Sequence, residues 1–148
     1  MSEKNKQIMH RFTDEVWNKK NREIVYELLT PDFRHYMPGL KEPMVGPAAY
    51  LQLVDVFRAA FKNISMEIKE IFGEGPRVCI VWTFVGVHKG EFNGIQPIRR
   101  KIRISGVGVA RIQRGKIEEV VSMFDNATFA GMLTGQVRAE SPSAPFLV

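Results

Sequence analysis

Two hydrophobic periods divide the chain. In the first half Ile8, Met9, Phe12, Val16 and Trp17 recur at i, i+1, i+4, i+8 and i+9, one apolar stripe of an α-helix. The polar run Asn18-Lys19-Lys20-Asn21 ends it, and Asn21 is placed to cap a second helix whose Ile24, Val25, Leu28 and Leu29 share a face. Thr30-Pro31 stops that helix, because proline disfavours helical geometry in the residue before it. A loop rich in Pro and Gly follows. Gly46-Pro47 then opens a third helix with proline in its first turn, and Tyr50, Leu53, Val54, Phe57 and Phe61 form its buried stripe.

In the second half the period drops from about 3.6 to 2. Ile64, Met66, Ile68 and Phe72 fall on alternate positions of a strand, with Ser65, Glu67 and Lys69 between them. The turn Gly73-Glu74-Gly75-Pro76 leads into Val78–Val85, an apolar run expected of a central strand covered on both faces. Lys101–Ile112 and Lys116–Phe124 predict two more strands, joined by a tight hairpin at Gln113-Arg114-Gly115. A short helix from about Ala127 to Leu133 closes the pattern. Helices followed by an antiparallel or mixed sheet give the α+β class. About three N-terminal helices laid across the concave side of a strongly curved sheet would close a cone-shaped α+β barrel with an apolar interior. The chain reads as one domain over residues 1–138, followed by a loose tail or partner-binding arm over 139–148.

Composition narrows the class. At 148 residues, with 45% hydrophobic and 25% charged, the chain is neither disordered nor a coiled coil. It holds no run of about 20 uncharged apolar residues, and its start, MSEKNKQIMH, lacks the apolar core of a secretory signal. A cytoplasmic protein with no membrane partner is expected. The single cysteine, Cys79, excludes an internal disulfide and a multi-cysteine metal site. The net charge of +5 and the cluster Arg99, Arg100, Lys101 and Arg103 raise the question of nucleic acid. No DNA-reading motif or RNA-binding sheet signature accompanies them, so a solvated basic end of the sheet is the preferred reading.

There is no phosphate-binding loop, dinucleotide fingerprint, zinc-protease motif or nucleophile elbow, and His10, His35 and His88 lie far apart. No metal and no cofactor are expected. On the last strand Ile117, Glu119, Val121, Met123 and Asp125 alternate onto one face. If Val121 and Met123 face the interior, so does Asp125, where desolvation would raise its pKa toward neutrality and suit it to proton transfer. Alternatively Asp125 caps the following helix, and the pattern alone leaves both readings open. His35, in PDFRHYMPG, either shares a proton with a substrate oxygen or is a buried loop histidine bonded to backbone. Trp17, Trp82, Phe84, Tyr36 and Tyr50 are candidates for an aromatic pocket, and His88 lies in a glycine-rich strand end.

Four segments, RFTDEVWNKKN, LLTPDFRHYMPG, VWTFVGVHKGEFNGIQP and GKIEEVVSMFD, together resemble the SnoaL-like polyketide cyclases across roughly residues 5–135. That family shares a cone-shaped α+β fold with scytalone dehydratase, ketosteroid isomerase and nuclear transport factor two. The resemblance implies cofactor-independent ring closure of a hydrophobic polyketide-type intermediate by general acid/base catalysis, an aldol condensation in the best-known members. It places Asp125 as the acid/base, His35 in the same pocket, and His88 in a more structural role. It also implies a homodimer through the outer face of the sheet, to which Ile104, Val107 and Val109 are expected to contribute. Four departures bear on the pocket: Gly94-Ile95-Gln96-Pro97-Ile98-Arg99 stands where members often carry Gly-Ile-Pro-Pro-Thr-Gly, Val121 stands where tryptophan is common, Arg111 lies on a strand where some cyclases carry histidine, and Leu133-Thr134-Gly135 replaces the usual Leu-Gly ending. The expected site is therefore Asp125 and His35, with Trp17, Tyr36, Tyr50, Trp82 and Phe84 around the substrate. His88, Arg111, Val121 and Met123 complete it. Pericyclic ring closure, epoxide opening, isomerisation and non-catalytic small-molecule binding are the alternatives on the same fold.

Overall fold

The computed structural model describes residues 2–136, so the expected domain end at 138 and the tail over 139–148 lie outside the described residues. Helix α1 (Ser2–Thr13) continues through a π-helical turn, Asp14–Asn18, and is followed by α2 (Ile24–Leu28), β1 (Leu29–Tyr36), β2 (Met44–Val45) and α3 (Pro47–Ala60). Then come β3 (Phe61–Glu74), β4 (Arg77–His88), β5 (Lys101–Gln113), β6 (Lys116–Phe124) and α4 (Asn126–Thr134). The class is α+β, as the change of period implies. The six strands form one curved sheet in the order β2-β1-β6-β5-β4-β3, antiparallel throughout except for the parallel β1–β6 pair. The sheet stays open, with β2 and β3 as its edges. Helices, not strand pairing, close the concave side, with Met9, Phe12, Val16, Tyr50 and Val54 buried against the sheet's inner face.

Local chemistry accounts for most boundaries. Pro47 occupies the first turn of α3, where its missing N–H costs nothing. The β5–β6 hairpin turns on Arg114 and Gly115, at φ 55° and 78°, the pair of positive angles of a type I′ turn. Two expectations need correction. Asn21 does not cap α2: its side chain donates to Glu15 Oε2 at 2.7 Å, and Glu23 precedes the helix without a side-chain cap. Nor is 29–36 a loop. The chain enters β1 at Leu29 and passes through Pro31 in a stretch where five steps of β1, Leu29 to Arg34, oppose two of β6, Ile117 to Glu119. Pro31 thus falls where the ladder asks for no N–H.

Bulges decide which side chains face inward. In β3, Ile68 pairs with Trp82 but Glu70 pairs with Val81, so Lys69 is extra and the alternation flips. Ile71 faces in and Phe72, expected beside Ile64, Met66 and Ile68, is 59% exposed outside. In β6, Arg111 pairs with Glu119 and Ile112 with Ile117, leaving Glu118 extra.

The inner face also needs Gly106. A Cβ there would lie 2.2 Å from Trp82 Cζ2 and 2.7 Å from the Met123 carbonyl oxygen, because the indole of Trp82 lies across β5 at this point. Gly106→Ala must push both that indole and the β6 backbone at Met123 aside, and overpacking of this kind costs about 1–3 kcal/mol. Urea unfolding followed by tryptophan fluorescence is expected to show the lower midpoint, and an unchanged midpoint would mean that neither the indole nor the Met123 backbone constrains this position.

Candidate active site

A cavity of about 120 Å³ lies between the inner face of the sheet and the helices, several times the roughly 30 Å³ of one liquid water. Its walls are apolar: Met9 and Phe12 from α1, Leu53 and Phe57 from α3, and Ile80, Phe84 and Ile104 from the sheet. Polar side chains reach it from few places: Thr13, Trp17, His35, Tyr50 and Ser122. Among the described residues no group of His, Cys, Asp and Glu is placed to hold a metal ion.

Two hydrogen-bonded pairs organise those groups. His35, on β1, places Nε2 2.9 Å from Ser122 Oγ on β6. The parallel register explains the meeting, since His35 lies opposite Val120 and Ser122 is the next inward residue along β6. His35 Nδ1 is buried and has no partner. Burial pushes the imidazole down to about 4, so it is neutral at ordinary pH. Beside it Trp17 Nε1 donates to the Tyr50 hydroxyl at 3.0 Å. Burial raises the Tyr50 phenol above its ordinary range, with the Trp17 bond acting the other way. The two pairs adjoin, with the His35 and Tyr50 rings 5.5 Å apart. Trp17 is held from behind by Arg58 of α3, whose guanidinium donates to the Val16 and Trp17 carbonyls at 2.9 and 2.5 Å.

Of the expected site residues, the fold brings His35, Trp17, Tyr50, Trp82 and Phe84 to this cavity. The expected inward face of β6 is overturned. Because Glu118 is extra, Ile117 faces in but the next inward residues are Val120, Ser122 and Phe124, while Val121 and Met123 are 36% and 61% exposed on the outer face. Asp125 does not face the interior with them. It caps α4, accepting from Thr128 N at 2.9 Å and from Thr128 Oγ1 at 2.5 Å, and those bonds hold its exposed carboxylate below the usual range instead of above it. Tyr36, next to His35, points outward, and Arg111 lies 3.4 Å from Glu118 Oε2 on the outer face. His88 is fully buried but outside the cavity: it stacks on Phe61 with ring centroids 5.2 Å apart, and its backbone pairs with Arg99 and Arg100. Ile104, expected on the outer face, lines the cavity.

Ser122, Thr13, Met37 and Gly108 also reach the cavity and were not legible as site residues. For Ser122 one signal existed. Glu118-Glu119 places two carboxylates in succession, and starting an alternation at Val120 selects Ser122 and Phe124.

The state of His35 is measurable. Its pKa is about 4 in the fold against an ordinary 6.5, so the unfolded chain binds that proton more readily. Its effect on stability is absent above pH 6.5 and grows as a penalty while the pH falls toward 4, up to ~3 kcal/mol. Urea midpoints against pH are expected to fall more steeply for wild type than for His35→Gln in that window, and parallel curves would contradict the buried neutral imidazole.

Solved structures share this fold. A SnoaL-like protein from Jannaschia sp. CCS1 superposes with a TM-score of 0.82 at 19% identity, covering 90% of this chain and 93% of that one. AclR from Streptomyces galilaeus, a candidate hydroxylase, gives 0.79 at 24% identity, with 91% and 98% covered. IdmH from Streptomyces antibioticus, a candidate polyketide cyclase, gives 0.76 at 22% identity, with 88% and 97% covered. No curated protein matches the sequence. The sequence profile of one family, however, matches residues 7–131, and with it comes support for a cyclase or isomerase role. The chain belongs to the SnoaL-like polyketide cyclases.

Proposed function

We propose that the protein is a cofactor-independent cyclase that closes a ring within an apolar polyketide-type substrate, with His35 moving the proton. The observation that carries this reading is His35 itself, an imidazole that lines the apolar cavity and whose buried Nδ1 has no hydrogen-bond partner. Ser122 fixes the ring: when its Oγ accepts from Nε2–H, the lone pair resides on Nδ1. Nδ1 then takes a proton from the carbon beside a substrate carbonyl. The enolate oxygen accepts from the Tyr50 hydroxyl, whose own proton has no acceptor among the described residues and which is polarised by the Trp17 N–H. The enolate carbon attacks a second carbonyl of the same chain, and the imidazolium returns its proton to the new alkoxide. A neutral imidazole with a low resting pKa becomes more basic as negative charge develops beside it. The walls supply orientation, holding the two reacting carbons together.

Linear poly-β-ketone chains incubated with wild type should give an isomeric cyclic product by mass spectrometry and NMR. His35→Gln is expected to slow it about 10²–10⁴-fold, the usual worth of general base catalysis. Asp125→Asn keeps turnover, because asparagine also caps a helix. A full rate from His35→Gln would instead mark ring closure by templating alone, and no product from wild type would overturn the cyclase reading.

The outer face supports a second part of the reading, a homodimer. Tyr36, Val121, Val109, Cys79 and Phe72 form a cross-strand row over five strands, and Met123 beside it is 61% exposed. An apolar band of this kind marks an interface. Light scattering at micromolar concentration should report a dimer, and Met123→Glu a monomer; a monomeric wild type refutes it.

A further inference from the structure

Four glycines lie inside the described strands, and three have a packing reason. A Cβ at Gly73 would come 3.0 Å from the Arg77 carbonyl oxygen, at Gly86 3.1 Å from Phe61 Cβ, and at Gly106 2.2 Å from Trp82. Gly108 is different. Its nearest contacts would be Ile80 Cγ1 at 3.5 Å, Ile80 Cδ1 at 3.8 Å and Val120 Cγ1 at 3.9 Å, all ordinary van der Waals separations. Nor does its backbone require glycine, since it is not among the residues with positive φ. A glycine inside a strand weakens it, because it packs nothing and loses more freedom on folding. Here that loss has no counterpart in the folded protein itself.

What the missing side chain leaves is room. Gly108 is an inward residue of β5 and the only glycine lining the cavity among the described residues, set in the floor between Ile80 and Val120. Every other lining position fills its share of the wall with a side chain. We propose that Gly108 is the specificity-determining position of the cavity: the bare backbone there receives an apolar part of the ligand, and the absent side chain sets how large that part can be. The proposal rests on the reading that this cavity is the substrate site, and it makes the size of the ligand's apolar part the property that is selected.

The test uses binding, not turnover, so that it is separable from the cyclase reading. Trp17 and Trp82 both line the cavity, and quenching of their fluorescence reports occupancy. The probes are phenol, 2-naphthol, 9-phenanthrol and 1-hydroxypyrene, titrated into wild type, Gly108→Ala and Gly108→Val. The largest phenol bound by wild type is expected to lose at least tenfold in affinity in Gly108→Val and a smaller factor in Gly108→Ala, while the smallest one bound changes less than threefold. The thermal midpoint of Gly108→Ala should not fall, because its methyl group meets Ile80 and Val120 only at ordinary van der Waals distances. Equal losses for all probes, unchanged affinity for all, no binding by wild type, or a lowered midpoint in Gly108→Ala would each overturn the proposal. A graded loss alongside failed ring closure would leave Gly108 as the size gauge and remove only the cyclase chemistry.

Discussion

Between the Arg111–Glu119 and Ile112–Ile117 pairs, β6 carries one residue more than β5, and the side chains beyond that point exchange faces. Strand geometry permits no intermediate: with a period of two, one extra residue sends each later side chain to the other side of the sheet. The consequence reaches both faces at once. Inward come Val120, Ser122 and Phe124, and with Ser122 the partner that holds His35. Outward go Val121 and Met123, which join Tyr36 and Val109 on the convex surface. The interior polar pair and the β6 share of the exterior apolar band are thus two results of the same extra residue, Glu118.

The remaining architecture protects that arrangement. An open sheet of six strands cannot enclose a cavity by its own hydrogen bonds, so aromatic packing completes the wall. Phe57 contacts Phe61, Phe84, Phe92 and Phe129 with ring centroids 5.2–6.3 Å apart, tying α3 to β3, β4, the loop after β4 and α4. Rings at such separations favour offset and edge-on geometries, which makes the wall directional as well as apolar. His88 belongs to this framework. Stacked on Phe61 and fully buried, it links the strand end to the loop through its backbone bonds to Arg99 and Arg100.

Period and turn chemistry made α1, α3 and the four long strands legible, because each rests on local rules that the fold does not override. The site was less so. Trp17, Tyr50, Trp82 and Phe84 are large apolar groups on regular faces, and their inward direction follows from the stripe they belong to. Asp125 was placed by extending an alternation across Glu118, and an alternation carries no record of a bulge. Its family likeness added weight to the same position, whereas the hydrogen bonds from Thr128 make it a cap in the fold. β1 escaped for a related reason: Pro31 reads as a break, and only the irregular pairing with β6 provides a place where proline does no harm.

The π-helical turn after α1 has its own implication for how such a cavity varies. It closes with Lys19 N donating to the Asp14 carbonyl at 2.9 Å, five residues back, so this stretch holds one residue more than an α-helical turn would. Each residue of an α-helix turns the chain by about 100°. Deleting one residue within Asp14–Asn18 would restore α-helical winding and turn Trp17 relative to α1. The face presented by Trp17 therefore depends on the length of this turn, which couples the shape of the pocket to a single residue of chain length.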